Sequence, residues 1–193
     1  FGVEVILFFN KVDLYNKKLI SQKEKLMREY SKIGYRCMSL SALYDNMNEV
    51  KSIVKNKNNL ISGHSGSGKS TLINKLLGNS NILTKEISQR HDQGQHTTTF
   101  SELYRLDFGG TIIDTPGIKG FGLVNIDLDR LSDFFPEFLS LKEGCKFNNC
   151  RHIKEPHCKV KEALEKDQIS KDRYSNYLSM LETEESIYRT NNY

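Results

Sequence analysis

Long apolar runs are missing from this chain. No stretch of its 193 residues approaches the roughly 20 apolar residues that a membrane-spanning helix requires. The strongest candidate, "VEVILFF" at Val3–Phe9, is short and carries Glu4, so it reads as a strand covered on both faces. A marked excess of one charge is absent too. With 28 basic and 24 acidic residues, the net charge of +4 permits contact with nucleic acid without arguing for it. The start has no methionine, no basic flank and no small-residue cleavage site, so no secretory leader is read there. Opening on Phe1 inside a strand-like run, the chain reads as a fragment with something before it. Internal repeats and low-complexity tracts are lacking. So is the even cysteine spacing of a disulfide framework. Three of the four cysteines fall within Cys145–Cys158, which points to a reducing, cytoplasmic setting and a metal, and Cys37 reads as a buried thiol.

What is present suits a soluble globular protein, with 37% hydrophobic and 27% charged residues, enough for one core and a small second unit. After Val3–Phe9, the spacing of Leu19, Leu26, Met27, Tyr30 and Ile33 predicts a helix from Asp13 to Gly34. The sign-alternating runs around it and in "KVKEALEKDQISKDR" read as solvated helix faces. Tyr35–Leu40 follows as a strand, "SALYDNMNEVKSIVKN" as a helix, Asn59–Ser62 as a strand, and "KSTLINKLLG" as a helix closed by Gly78. Residues 79–99 are polar and irregular, a loop long enough to be functional. "FSELYRLDF", Gly109-Gly110 and "TIID" form an antiparallel hairpin, and helical segments follow from about Leu123. Strands alternating with helices give an α/β fold with a mainly parallel sheet.

Gly63-His64-Ser65-Gly66-Ser67-Gly68-Lys69-Ser70 matches G-x-x-x-x-G-K-[ST], with Thr71 continuing into the helix. Glycines let such a loop curl until its N–H groups face phosphate oxygens, and the helix start adds positive potential. Lys69 is expected to reach the β- and γ-phosphates, and the Ser70 hydroxyl to hold Mg²⁺. Asn10-Lys11-Val12-Asp13 follows the first strand. The Asp13 carboxylate can accept from both the ring N–H and the exocyclic amine of guanine. Adenine offers neither donor and would leave that charge unpaired. Asn10 would position the loop or contact the base, and the Lys11 stem would cover the ring. Ser41-Ala42, one β-unit later, can present a backbone N–H to the guanine carbonyl.

Asp114-Thr115-Pro116-Gly117 ends the hairpin. Asp114 can hold Mg²⁺ through a water. The Gly117 N–H can meet the γ-phosphate, and hydrolysis would remove its acceptor and release the segment behind it. Thr97, Thr98 or Thr99 would complete the Mg²⁺ shell, with Thr98 favoured. Ile118 stands where many GTPases place a water-orienting glutamine, which leaves His96 as the candidate for that task beside Lys69 and Thr98. Cys145, Cys150, His152 and Cys158 supply three thiolates and an imidazole, the donor set of a closed structural Zn²⁺ site. His157 is a rival ligand. With little apolar content around it, this segment is expected to draw folding energy from the metal.

Taken in order, the base motif, Ser41-Ala42, phosphate loop, threonine loop, Asp114–Gly117 and Cys/His cluster resemble one family. It is the circularly permuted, small-ribosomal-subunit-dependent GTPase A family (RsgA/YjeQ), with Gln95 standing where that family's arginine is expected. The resemblance implies a circularly permuted P-loop GTPase domain over residues 1–122 and a mainly helical zinc-binding domain over 123–193. An N-terminal OB-fold domain is expected upstream. It further implies a monomer that binds GTP and GDP and assists late maturation of the small (30S) subunit. Contact with 16S rRNA and hydrolysis stimulated by the subunit are implied as well, and no membrane is involved.

Overall fold

Ile6–Phe9 forms β1, and Arg36–Ser39 forms β2, which runs parallel to it from Ile6↔Arg36 to Phe9↔Ser39. This computed structural model describes residues 2–78, 102–115 and 127–190, with side chains described as far as residue 182. β3 (Asn58–Ile61) lies parallel to β5 (Thr111–Asp114), and β4 (Glu102–Arg105) pairs with β5 antiparallel. The expected hairpin is therefore present. Its turn needs glycine at Gly110: φ is +96°, and a Cβ there would lie 2.5 Å from the Lys57 carbonyl oxygen.

The helices are α1 (Lys17–Lys32), α2 (Asn48–Val54), α3 (Lys69–Leu77), α4 (Pro136–Lys142), α5 (Lys159–Glu165) and α6 (Lys171–Thr190). Gly78 closes α3 at φ +70°, its N–H returning to the Asn74 carbonyl. Three expectations need adjusting. The first strand begins only at Ile6, with Val3 and Val5 exposed and the strand half-buried, so it is not covered on both faces. The helix expected from Ser41 starts at Asn48, because Ser41–Asp45 is a turn whose Tyr44 and Asp45 N–H groups return to the Ser41 carbonyl. And α1 buries none of its residues fully, despite the helical spacing of its apolar positions.

The chain divides into two compact units, Phe1–Met27 with Arg36–Phe121, and Arg28–Tyr35 with Gly122–Tyr193. The first has its core around Met38, Leu40, Val50, Leu72, Ile73 and Ile112. Ile73 and Ile112 are wholly buried, each stabilising the fold by about 2 kcal/mol. The loops leaving the carboxyl ends of β1, β2, β3 and β5 carry the nucleotide motifs, where ligands gather in open α/β sheets.

The second unit holds Leu131, Phe135, Phe138, Val160, Ile169 and Tyr177 in a core of its own. Phe135 and Phe138 stack at 5.0 Å, and Tyr177 meets them edge-on at 5.4 and 5.2 Å. A metal is thus not this unit's sole source of folding energy. The flanking helices supply the apolar surface that the Cys/His segment lacks.

Candidate nucleotide and metal sites

The phosphate loop leaves β3 and enters α3. Gly66 and Gly68 adopt φ +79° and +92°, conformations that L side chains rarely take. A Cβ on Gly68 would strike the Asn10 amide nitrogen and force that side chain to shift, so packing favours glycine there as well. The Ser67 N–H returns to the His64 carbonyl at 3.2 Å. Lys69 Nζ donates to the carbonyl oxygens of Gly63 (2.7 Å) and His64 (3.0 Å), drawing the ammonium under the loop. Ser65 and Ser67 are exposed, and Ser70 and Thr71 are half-buried in the first turn of α3.

Asn10 ties this loop to the other two. Its Nδ2 donates to the Ser67 carbonyl at 3.0 Å. Its Oδ1 accepts from the N–H groups of Lys11 (2.8 Å) and Ala42 (2.9 Å). Lys11 is left-handed at φ +63°, and Val12–Leu14 makes a 3₁₀ turn that leaves Asp13 exposed. Ser41 and Ala42 are buried, and the Ser41 N–H is held by Asp45 Oδ2 at 2.7 Å. Beside Lys11, an open cleft of about 410 Å³ is lined by Phe8, Phe9, Leu14, Tyr15 and Leu19, apolar walls suited to a planar ring. Two supporting residues escaped sequence reasoning. Tyr15 donates its hydroxyl to the Asn10 carbonyl at 3.0 Å, and Asp45 props Ser41. Neither belongs to a spaced motif.

Asp114 closes β5 in register with Ile61, just before the phosphate loop. Burial raises its pKa, the nearby Lys69 ammonium lowers it, and Glu102 raises it again. Its Oδ1 is buried with no hydrogen-bond partner among the described residues, an oxygen placed to suit a cation or a cation's water. Thr115 Oγ1 donates to the Ile61 carbonyl at 2.9 Å, pinning the start of this segment to β3. Gln95, His96, Thr97, Thr98, Thr99, Gly117 and Ile118 lie outside the described residues.

In the second unit, ligand atoms of Cys145, Cys150, His152 and Cys158 all lie within 4.8 Å of one another. His152 Nδ1 faces Cys158 Sγ at 3.3 Å and Cys145 Sγ at 3.7 Å. His157 is exposed and stands outside this group. Burial pushes the Cys150 thiol up to about 12, raises Cys158 and lowers His152. Those shifts favour neutral groups; a cation would reverse the two thiol shifts by displacing their protons, and the neutral imidazole is already the form that binds a metal. Three sulfurs and one nitrogen gathered this tightly can hold a metal ion.

The RsgA GTPase family profile matches residues 1–124. A small ribosomal subunit biogenesis GTPase RsgA from Flavobacterium psychrophilum is 50% identical over the whole chain. The chain belongs to the RsgA GTPase family. A second RsgA of the same description, from Flavobacterium johnsoniae, is 47% identical, again across the whole chain. The chain spans 60% of the length of each. Among solved structures, YjeQ from Thermotoga maritima is 33% identical with a TM-score of 0.75, covering 94% of this chain and 60% of that one. YloQ, described as a circularly permuted GTPase, is 25% identical with a TM-score of 0.72, covering 92% and 56%. The RsgA fold here is accordingly a circularly permuted GTPase, and its base loop precedes its phosphate loop in sequence while meeting it in space.

Proposed function

We propose that the chain binds GTP, hydrolyses it to GDP with Mg²⁺, and serves late maturation of the small ribosomal subunit in the cytoplasm, with 16S rRNA as a partner. The observation that carries the nucleotide reading is the Asn10 amide, which joins the base loop, the Ser41-Ala42 loop and the phosphate loop through three hydrogen bonds. The ribosomal part rests on the names of the relatives, each longer than this chain.

In this reading Asp13 pairs with the guanine ring N–H and exocyclic amine, while Lys11 and the aromatic cleft flank the ring. The N–H groups of Gly63 to Thr71 receive the phosphates. Lys69 exchanges its loop carbonyls for β- and γ-phosphate oxygens. Ser70, Thr98 and Asp114 are the residues that would hold Mg²⁺, which when bound neutralises charge on those oxygens. The orphaned Asp114 oxygen supports that assignment. His96 is the proposed water-positioning side chain. The metal of the second unit is proposed to be a single structural Zn²⁺, since three thiolates and an imidazole form a soft tetrahedral set with no open position.

Competition of GTP against ATP tests the base reading directly. GTP should win by more than about a hundredfold, because a pocket that hydrogen-bonds one base leaves polar groups unpaired with another. Equal competition by ATP would overturn the reading. Asp13→Asn should exchange guanosine for xanthosine nucleotides, since the donor and acceptor pattern inverts. Turnover measured with and without purified small subunits then tests the partner.

A further inference from the structure

We propose that Glu155, together with Tyr174 and Tyr177, positions the metal site by holding the backbone of His152. The inference rests on reading Cys145, Cys150, His152 and Cys158 as a metal site. A metal-ligating histidine normally donates its second ring N–H to a carboxylate, carbonyl or water, and this fixes the ring. Here Nδ1 faces the sulfurs, while Nε2 is buried with no hydrogen-bond partner among the described residues. The Phe138 ring lies edge-on at 6.1 Å between centroids and offers no acceptor. Nothing described orients the imidazole through its far nitrogen.

The backbone is held instead. His152 has φ +60°, a left-handed conformation uncommon for a residue with a side chain, and one that tends to relax unless its neighbours enforce it. Glu155 enforces it from the N–H side. Its Oε1 accepts from Arg151 at 2.9 Å, and its Oε2 from Ile153 at 2.8 Å and Lys154 at 3.0 Å. One carboxylate thus takes the N–H groups on both sides of the histidine. Tyr177 and Tyr174 act from the carbonyl side, donating their hydroxyls to Arg151 O at 2.6 Å and His152 O at 2.7 Å. Tyr177 is wholly buried edge-on against the stacked Phe135 and Phe138 rings, so the clamp is anchored in the core. Rotating the backbone at residue 152 would carry Nδ1 away from the thiols, and these five hydrogen bonds oppose that rotation.

The test uses the whole chain, with Zn²⁺ affinity from chelator competition and the ligand-field spectrum of the Co²⁺-loaded protein. Glu155→Gln keeps the size but turns one acceptor oxygen into a donor, so at least one N–H loses its partner. It should weaken Zn²⁺ binding about 10- to 100-fold and shift the Co²⁺ bands. Glu155→Asp, retaining two acceptors on a shorter stem, should recover part of the loss. Tyr174→Phe should weaken binding several-fold and shift the bands in the same direction. Unchanged affinity and unchanged bands in Glu155→Gln and Tyr174→Phe overturn the proposal. So does a pattern in which unfolding midpoints drop while the Co²⁺ spectrum stays that of the parent. Should Glu155→Gln fail to fold, Tyr174→Phe decides alone by the same two readouts. A parent chain that takes up neither Zn²⁺ nor Co²⁺ overturns the metal reading itself.

Discussion

Gly68 meets two demands at one residue. Its φ of +92° disfavours any side chain, and a Cβ would strike the Asn10 amide that carries the bond to Ser67. Gly66 shares the first demand, at φ +79°, but a Cβ there meets nothing within 4 Å. Gly66→Ala should therefore cost about 1 kcal/mol of backbone strain. Gly68→Ala should cost about 1–2 kcal/mol more through the broken hydrogen bond and displaced amide. Urea unfolding of the two variants, with GDP affinity measured alongside, checks that ordering. Equal effects would show that the Asn10 contact contributes nothing. Residues of this kind stand out in the sequence because the proposed chemistry needs rare types at fixed spacing: glycine and lysine around phosphate, a carboxylate for guanine, thiols with a histidine for a metal. Tyr15, Asp45, Glu155, Tyr174 and Tyr177 do not. Each is a common residue whose role arises only when the fold brings its polar atom to one particular backbone group.

Between elements, α4 and α6 share a buried ion pair beside the Phe138–Tyr177 ring contact. Arg173 Nε and Nη2 donate to the two carboxylate oxygens of Glu137 at 2.7 and 3.2 Å, and the side chains are only 15% and 8% exposed. The guanidinium also lies 4.7 Å from the Phe135 ring centroid and 5.3 Å from that of Tyr30. Arg173→Met should destabilise the second unit by about 3 kcal/mol, since it strands a buried carboxylate. Adding Glu137→Leu should recover most of that loss. Thermal unfolding of both variants measures the coupling, and a double variant no better than the single one would refute it. Element types were readable from the alternation of apolar strands and amphipathic helices. Their extents were less so, because tertiary hydrogen bonding sets where they stop. The Asp45 carboxylate holds a turn at Ser41 where propensity alone extended a helix. The last turn of α1 supplies Tyr30 to the second unit, a destination that helical spacing does not disclose.

At the scale of the whole molecule, two separate cores imply two separable stabilities. Calorimetry of the intact chain should resolve two transitions. Saturating GDP should raise one, by about 2.7 kcal/mol at a hundred times its dissociation constant, and a chelator should lower the other. A single transition that both reagents move would contradict the division. The order of motifs along the chain made the permuted arrangement legible before any coordinates, because strand ends rather than chain order build a pocket of this kind. The division of residues 28–35 from their sequence neighbours was not legible, since it depends on which unit the folded backbone packs with.

The Asn10 side chain has one further consequence. Both acceptor positions of its oxygen are filled by the chain's own N–H groups, and one donor is given to Ser67. Its spare N–H can meet only an acceptor such as the purine N7, which adenine and guanine share. In the proposed reading, the pocket's integrity and its choice of base reside in different side chains, Asn10 and Asp13. Nucleotide preference would then be a one-residue property, open to rewriting while the scaffold stands. Re-keyed in this way, the chain would answer, in a crowded mixture, to a nucleotide that unaltered GTP-binding proteins around it ignore.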